Sequence, residues 1–123
     1  MVSDKRIIYP QRGEIYLVNF EPTIGSEIKK TRPALILQND IANQHSSITI
    51  VAAITSQFTA PLYPTEVLIK SSVSGLQFDS VILLNQIRSI DKQRLIKRLG
   101  ILTSIIMEDV DKAMQISLGL IKL

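Results

Sequence analysis

The run "SITIVAAIT", Ser47 to Thr55, constrains this chain more than any other segment. It is almost continuously apolar and rich in β-branched residues. Strand side chains alternate between two faces, so a strand of this composition needs apolar cover on both. The fold must therefore contain a sheet packed on two sides.

The segments around it read as partners. "EIYLVNF", Glu14 to Phe20, alternates and is entered through a tight turn at Gly13. "PALILQ", Pro33 to Gln38, is an apolar strand whose proline suits a first or edge position. In "NDIANQHS", Asn39 or Asp40 can cap a single short helical turn. "FTAPLYPT", with two prolines, reads as a loop before a strand at Thr65 to Lys70, and "SSVSGLQFDS" as a second loop. Ser80 to Ile90 is one long strand or two meeting at a kink. "RLIKRLGIL" alternates as a strand; a short helix is the alternative, and Gly100 favours the strand.

From Thr103 the period changes. Ile106, Val110, Ala113, Met114, Ser117, Leu120 and Ile121 follow helical spacing, with Thr103 or Ser104 as N-cap. Acidic residues near the start and Lys122 at the end suit the helix dipole. The expected architecture is one domain over residues 1–123: a small, strongly curved, mostly antiparallel sheet or partly open barrel, closed by a C-terminal amphipathic helix.

Composition narrows the chemistry. Aromatics make up 5% of the 123 residues and tryptophan is absent, so the core must be Ile, Leu and Val. No cysteine is present, which excludes disulfides, cysteine-ligated zinc and thiol catalysis. The one histidine, His45, reads as an ordinary surface residue; a histidine acid–base pair is excluded, and a metal site would have to be all oxygen. No metal or cofactor is expected. No apolar run approaches membrane-spanning length and "MVSDKRIIYPQRGE" lacks the apolar stretch of a secretion signal, so a soluble, cytoplasmic protein is expected.

A net charge of +3 permits a polyanionic partner. Lys29, Lys30 and Arg32 form one basic knot, and Arg88, Lys92, Arg94, Lys97 and Arg98 another. Each is either a solvated face or a phosphate-binding surface. Arg32 sits where the charged stretch "GSEIKK" meets the apolar strand; its guanidinium could take a phosphate or pair with Glu27 or another carboxylate. Thr55 could bond a phosphoryl oxygen or cap its strand end, and Glu27 is a candidate general base or a plain loop carboxylate.

The stretch "RGEIYLVNFEPTIGSEIKKTRPALILQNDIANQHSSITIVAAITSQ", with "DSVILLNQIRSIDKQRL" and "DKAMQISLGLI" after it, closely resembles the MazF/PemK family of bacterial toxin endoribonucleases. The resemblance implies an SH3-like, barrel-type homodimer that cuts single-stranded RNA without a metal, leaving a 2′,3′-cyclic phosphate and a 5′-hydroxyl. It also implies a MazE-like antitoxin partner whose acidic, disordered tail blocks the RNA site, and an effect on translation and growth. It places catalysis on Arg32 and Thr55, with Glu27 as the loop carboxylate. RNA contacts fall on Ser26, Lys29, Lys30, Gln57, Ser80, Gln86 and Arg88, with Asn85 beside them. Two alternatives share the fold: a gyrase-poisoning toxin without enzymatic activity, which in that lineage relies on a C-terminal tryptophan absent here, and a plain RNA-binding module.

Overall fold

The computed structural model describes residues 9–27 and 30–122. The elements run β1 (Glu14–Asn19), β2 (Thr31–Ile36), α1 (Asp40–His45), β3 (Ile48–Thr55), β4 (Glu66–Ile69), α2 (Ser71–Ser74), β5 (Ser80–Asp91), a 3₁₀ turn (Lys92–Arg94), β6 (Leu95–Ile101) and α3 (Ser104–Ser117). The strands form one antiparallel sheet in the order β4-β5-β3-β2-β1-β6. β3 is central, and its residues Val51 to Ile54 are buried on both faces, as its composition demands.

Connectivity forces this sheet to curve. β5 and β6 lie four strand spacings apart in the sheet order, about 19 Å if the sheet were flat. The three-residue turn that joins them reaches only about 14 Å at full stretch. The long β5 also changes register midway: Ala52 faces Ile87 while Ile54 faces Ile82, so two steps on β3 span five on β5. That bulge is the kink left open by the sequence, and it shifts the alternation: even-numbered Ile82 and Leu84 face the core under α3, whereas even-numbered Ile90 faces the opposite layer and Ile87 takes the α3 side.

Among the described residues the sheet does not close into a ladder-paired barrel, and β4 and β6 pair with no further strand on their outer edges. What meets instead is α2, which follows one edge strand, and β6, the other. A Cβ on Gly100 would lie 2.3 Å from the Ser74 carbonyl oxygen, and one on Gly75 would lie 2.6 Å from that of Leu99. Backbone approaches backbone along this seam because two glycines leave room for it.

One core lies between the sheet and α3, where Met107, Val110 and Ala113 cover Ile15, Leu35, Ile54 and Ile82. A second, on the opposite face, gathers Val18, Phe20, Ala34, Ile36, Val51, Ala53 and Ile90. Each face of β3 thus has its own apolar layer.

Three expectations need correction. "SSVSGLQFDS" contains a four-residue helix, α2, ended by Gly75 at φ 81°. Pro33 is the third residue of β2, not its first. α3 stops at Ser117, so Leu120 and Ile121 lie beyond it. The stop is chemical: Gly119 takes φ 74°, its N–H bonds Ile116 O at 3.1 Å, and Leu120 N–H bonds Gln115 O at 2.8 Å, a Schellman closure. Among the described residues, no helix is long and apolar enough to cross a membrane.

Candidate active site

Pro33 shapes the site. Phe20 N–H bonds Lys30 O and Leu37 N–H bonds Ile50 O, so by alternation the even-numbered residues of β2 bond toward β1 and the odd-numbered ones toward β3. Position 33 would therefore donate to β3, and proline has no N–H to donate. The β2–β3 ladder ends at Ala34↔Ala53. Carried two steps further, the same register sets Arg32 opposite Thr55. Alternation puts both side chains on the face of Ala34 and Ala53, the face carrying Phe20 and Val18.

Arg32 is half-buried, and its backbone is held against Val18 of β1, so the guanidinium has a rigid base. Thr55 is half-buried at the end of β3; its hydroxyl accepts from Gln57 N–H at 3.0 Å and donates toward Gln57 O at 3.3 Å. The second bond is long for O–H···O. The proton can therefore swing to another acceptor at little cost, while the first bond keeps the oxygen in place.

The remaining candidates divide between two hollows. Ser26, Glu27, Asn85, Gln86 and Arg88 line a cleft of about 370 Å³ together with Phe20 and Ile87. Arg32 and Ser80 line a smaller pocket of about 180 Å³ with Pro33, Ile54, Ser56, Leu76, Gln77 and Phe78. Two segments far apart in the chain, the β1–β2 loop and β5, thus converge on one cleft. Glu27 is exposed, and its carboxylate accepts Ile24 N–H at 2.6 Å, closing its own turn. Gln57 and Lys30 are exposed; Lys30 sits at φ 65°, and its N–H bonds the Glu21 carboxylate at 2.7 Å. Lys29 lies outside the described residues. His45 is exposed at the end of α1.

Most of the long basic run bonds to the protein itself, while Lys97 is exposed. Arg88 donates to Phe20 O at 3.2 Å and stands 5.6 Å over the Phe20 ring. Lys92 donates to Asn43 O and lies 5.1 Å over Tyr9. Arg94 donates to the carbonyls of Asn19 and Glu21, and Arg98 Nε pairs with the buried Glu14 at 2.5 Å. These cations clasp the β5–β6 connection to β1 and α1. Next to the last pair, burial pushes the Tyr16 phenol above its ordinary value, Glu14 adding to the shift and Arg98 opposing it.

Sequence reasoning missed Gln77 and Phe78 as neighbours of Arg32. Nothing local ties Phe78 to β2, from which α1, β3, β4 and α2 separate it in the chain.

The chain as a whole has known relatives. Residues 11–118 match the family described as PemK-like, MazF-like toxin of type II toxin-antitoxin system. The chain is 49% identical over 111 residues to Endoribonuclease EndoA of Bacillus subtilis (strain 168), covering 90% of this chain and 96% of that protein. It is similar in structure to MazF of Deinococcus radiodurans, with a TM-score of 0.78 at 27% identity over 92% of this chain and 99% of that one. A mycobacterial endoribonuclease crystallised with its cognate antitoxin shares the fold, with a TM-score of 0.75 at 24% identity over 93% of this chain and 99% of that one. The family pattern begins just before β1, spans both hollows and ends just past α3, and so the chain belongs to the PemK-like, MazF-like toxins of type II toxin–antitoxin systems.

Proposed function

We propose that this chain is a sequence-specific, metal-independent endoribonuclease of single-stranded RNA, the toxin partner of a MazE-like antitoxin, acting as a homodimer to suppress translation. The observation that carries the reading is the convergence of Ser26 and Glu27 from the β1–β2 loop with Gln86 and Arg88 of β5 on one cleft, with Arg32 and Thr55 lying just past the last β2–β3 pair, Ala34↔Ala53, on adjacent strands. The relative named an endoribonuclease, at 49% identity, supports it.

In this reading the substrate supplies its own nucleophile. The 2′-oxygen gives up its proton and bonds to phosphorus, the P–O5′ bond breaks, and a proton goes to the departing 5′-oxygen. The products are a 2′,3′-cyclic phosphate and a 5′-hydroxyl. Charge builds on the non-bridging oxygens, and preorganised donors there lower the barrier most. Arg32 stays protonated in proteins and suits that task, with the Thr55 hydroxyl beside it. Glu27, exposed in the β1–β2 loop, is the candidate acceptor for the 2′ proton. DNA lacks the 2′-hydroxyl and would bind uncut. Gln86, Arg88, Ser26, Ser80, Gln57 and the loop lysines, Lys29 and Lys30, would hold the flanking nucleotides, and the antitoxin's acidic tail would compete for the same cleft.

Purified protein incubated with EDTA and a long single-stranded RNA should cut at a few short motifs. Arg32→Ala and Thr55→Ala should remain folded and each lose about 10²- to 10³-fold in kcat, the usual loss for one donor to a developing oxyanion. Intact RNA in EDTA, or variants as active as the wild type, would sink the assignment.

A further inference from the structure

The smaller pocket holds more than Arg32. Part of its wall is the loop from α2 to β5, with Gln77 and Phe78 at its tip. Phe78 is 60% exposed, an aromatic ring that folding leaves in water. Its loop is nonetheless braced. The Phe78 carbonyl accepts from Ser80 Oγ at 2.9 Å, Leu76 N–H bonds Ser74 Oγ at 3.1 Å, and the Asp79 carboxylate accepts Ser71 N–H at 2.8 Å. Gly75 is wedged against β6 at the loop's start. An exposed ring on a braced loop has already lost its backbone freedom, so a ligand that meets it does not bear that cost.

Size and chemistry restrict the ligand. At about 180 Å³ the pocket falls below the roughly 300 to 1,000 Å³ of sites for drug-sized molecules. It suits one planar group. Its lining residues include an arginine, an aromatic ring and a carboxamide carrying both donor and acceptor, the residue types that a phosphate with its attached nucleobase would engage.

We propose that this pocket seats the nucleobase flanking the scissile phosphate, with Phe78 stacking on it and Gln77 bonding its edge, so that the α2–β5 loop sets one position of the cleavage motif. The inference rests on the ribonuclease reading above. Both side chains are exposed, so Phe78→Ala and Gln77→Ala should keep the wild-type melting temperature.

The test uses RNA oligonucleotides of the mapped motif with 2-aminopurine on either side of the cut, made uncleavable by a 2′-deoxy nucleotide at the cut. Binding to the wild type should quench the probe at one flanking position. Phe78→Ala should abolish that quenching and Phe78→Tyr restore it. With cleavable RNA, Phe78→Ala should lower kcat/KM about tenfold or more, as expected for loss of one base–aromatic stack. Gln77→Ala should relax base preference at the same position and leave the others unchanged. A wild type that cuts RNA, with Phe78→Ala equally fast, equally selective and equally quenched, overturns the pocket assignment and leaves the ribonuclease reading standing. A wild type that cuts nothing overturns both.

Discussion

Asn43 is fully buried and fully engaged. Its Nδ2 donates to Gln38 O at 2.9 Å, and its Oδ1 accepts from Gln38 Nε2 at 3.0 Å and Thr49 Oγ1 at 2.7 Å. Its carbonyl takes the Lys92 ammonium. The side chain thereby ties α1 to β3, while the backbone carbonyl holds the 3₁₀ turn alongside. Asn43→Ala would leave the buried Thr49 hydroxyl without its acceptor, at a cost of about 2 to 3 kcal/mol. Urea unfolding checks this; a midpoint unchanged at constant slope would contradict it. Asp79 offers a second residue-scale test. The Ser71 N–H bond, and after it the Lys70 charge, hold its carboxylate below the ordinary value even though burial opposes the shift. A carboxylate with a depressed folded-state pKa contributes stability above its unfolded value, about 3.9, and that contribution fades as pH falls through the folded one. Asp79→Asn should therefore melt lower than the wild type at neutral pH and show a shallower loss below pH ~4. Parallel acid limbs would refute the link. The sequence offered Asn39 or Asp40 as a cap, and Asn39 takes the role, but it did not point to Asn43, because a buried hydrogen-bond node depends on strands brought in from elsewhere.

The elements were legible where a full period was present. β3, β5 and α3 each run for eight residues or more, long enough for β-branching or the 3.6-residue repeat to register. α2 has four residues, barely one turn, and no periodicity can report it. The end of α3 was readable in principle: Gly119 is the left-handed C-terminal signal, but the apolar pattern continued through Leu120 and masked it. Strand order was not readable, since alternation within a strand says nothing of its neighbours. The α2–β6 seam follows from that order alone. Gly100→Ala would drive a Cβ to 2.3 Å from the Ser74 carbonyl oxygen, and neither backbone can yield without moving its strand or helix. The expected loss is about 1 to 3 kcal/mol. Because the same seam braces the Phe78 loop, selectivity at the flanking base should blur alongside the fall in melting temperature. A variant that melts like the wild type would show that the seam is softer than its backbone distances imply.

At the scale of the whole molecule, charge is where reading and structure diverge most. The sequence presents five cations between Arg88 and Arg98 as a candidate phosphate rail on a chain of net charge +3. In the fold, Lys92, Arg94 and Arg98 bond Asn43, the β1–β2 corner and Glu14, and of the five only Arg88 lines the cleft that holds Glu27 and Gln86. A sequence cannot show this, because the partners are backbone carbonyls and a carboxylate up to 84 positions away. Cations committed to holding the curved sheet are not free to displace counterions from RNA. The salt dependence of binding discriminates the two cases, since each neutralised phosphate on a single strand contributes about −0.7 to the slope of log K against log salt. Engagement through Arg32, Arg88 and one loop lysine predicts a slope of about −2. A five-cation rail added to one loop lysine and Arg32 would give about −5. Fluorescence anisotropy of an uncleavable oligonucleotide between 50 and 300 mM KCl, roughly the range over which such slopes are resolved, measures it directly. The steep result would mean that the clasps open on the substrate; the shallow one, that RNA is held by few phosphates and chosen by its bases.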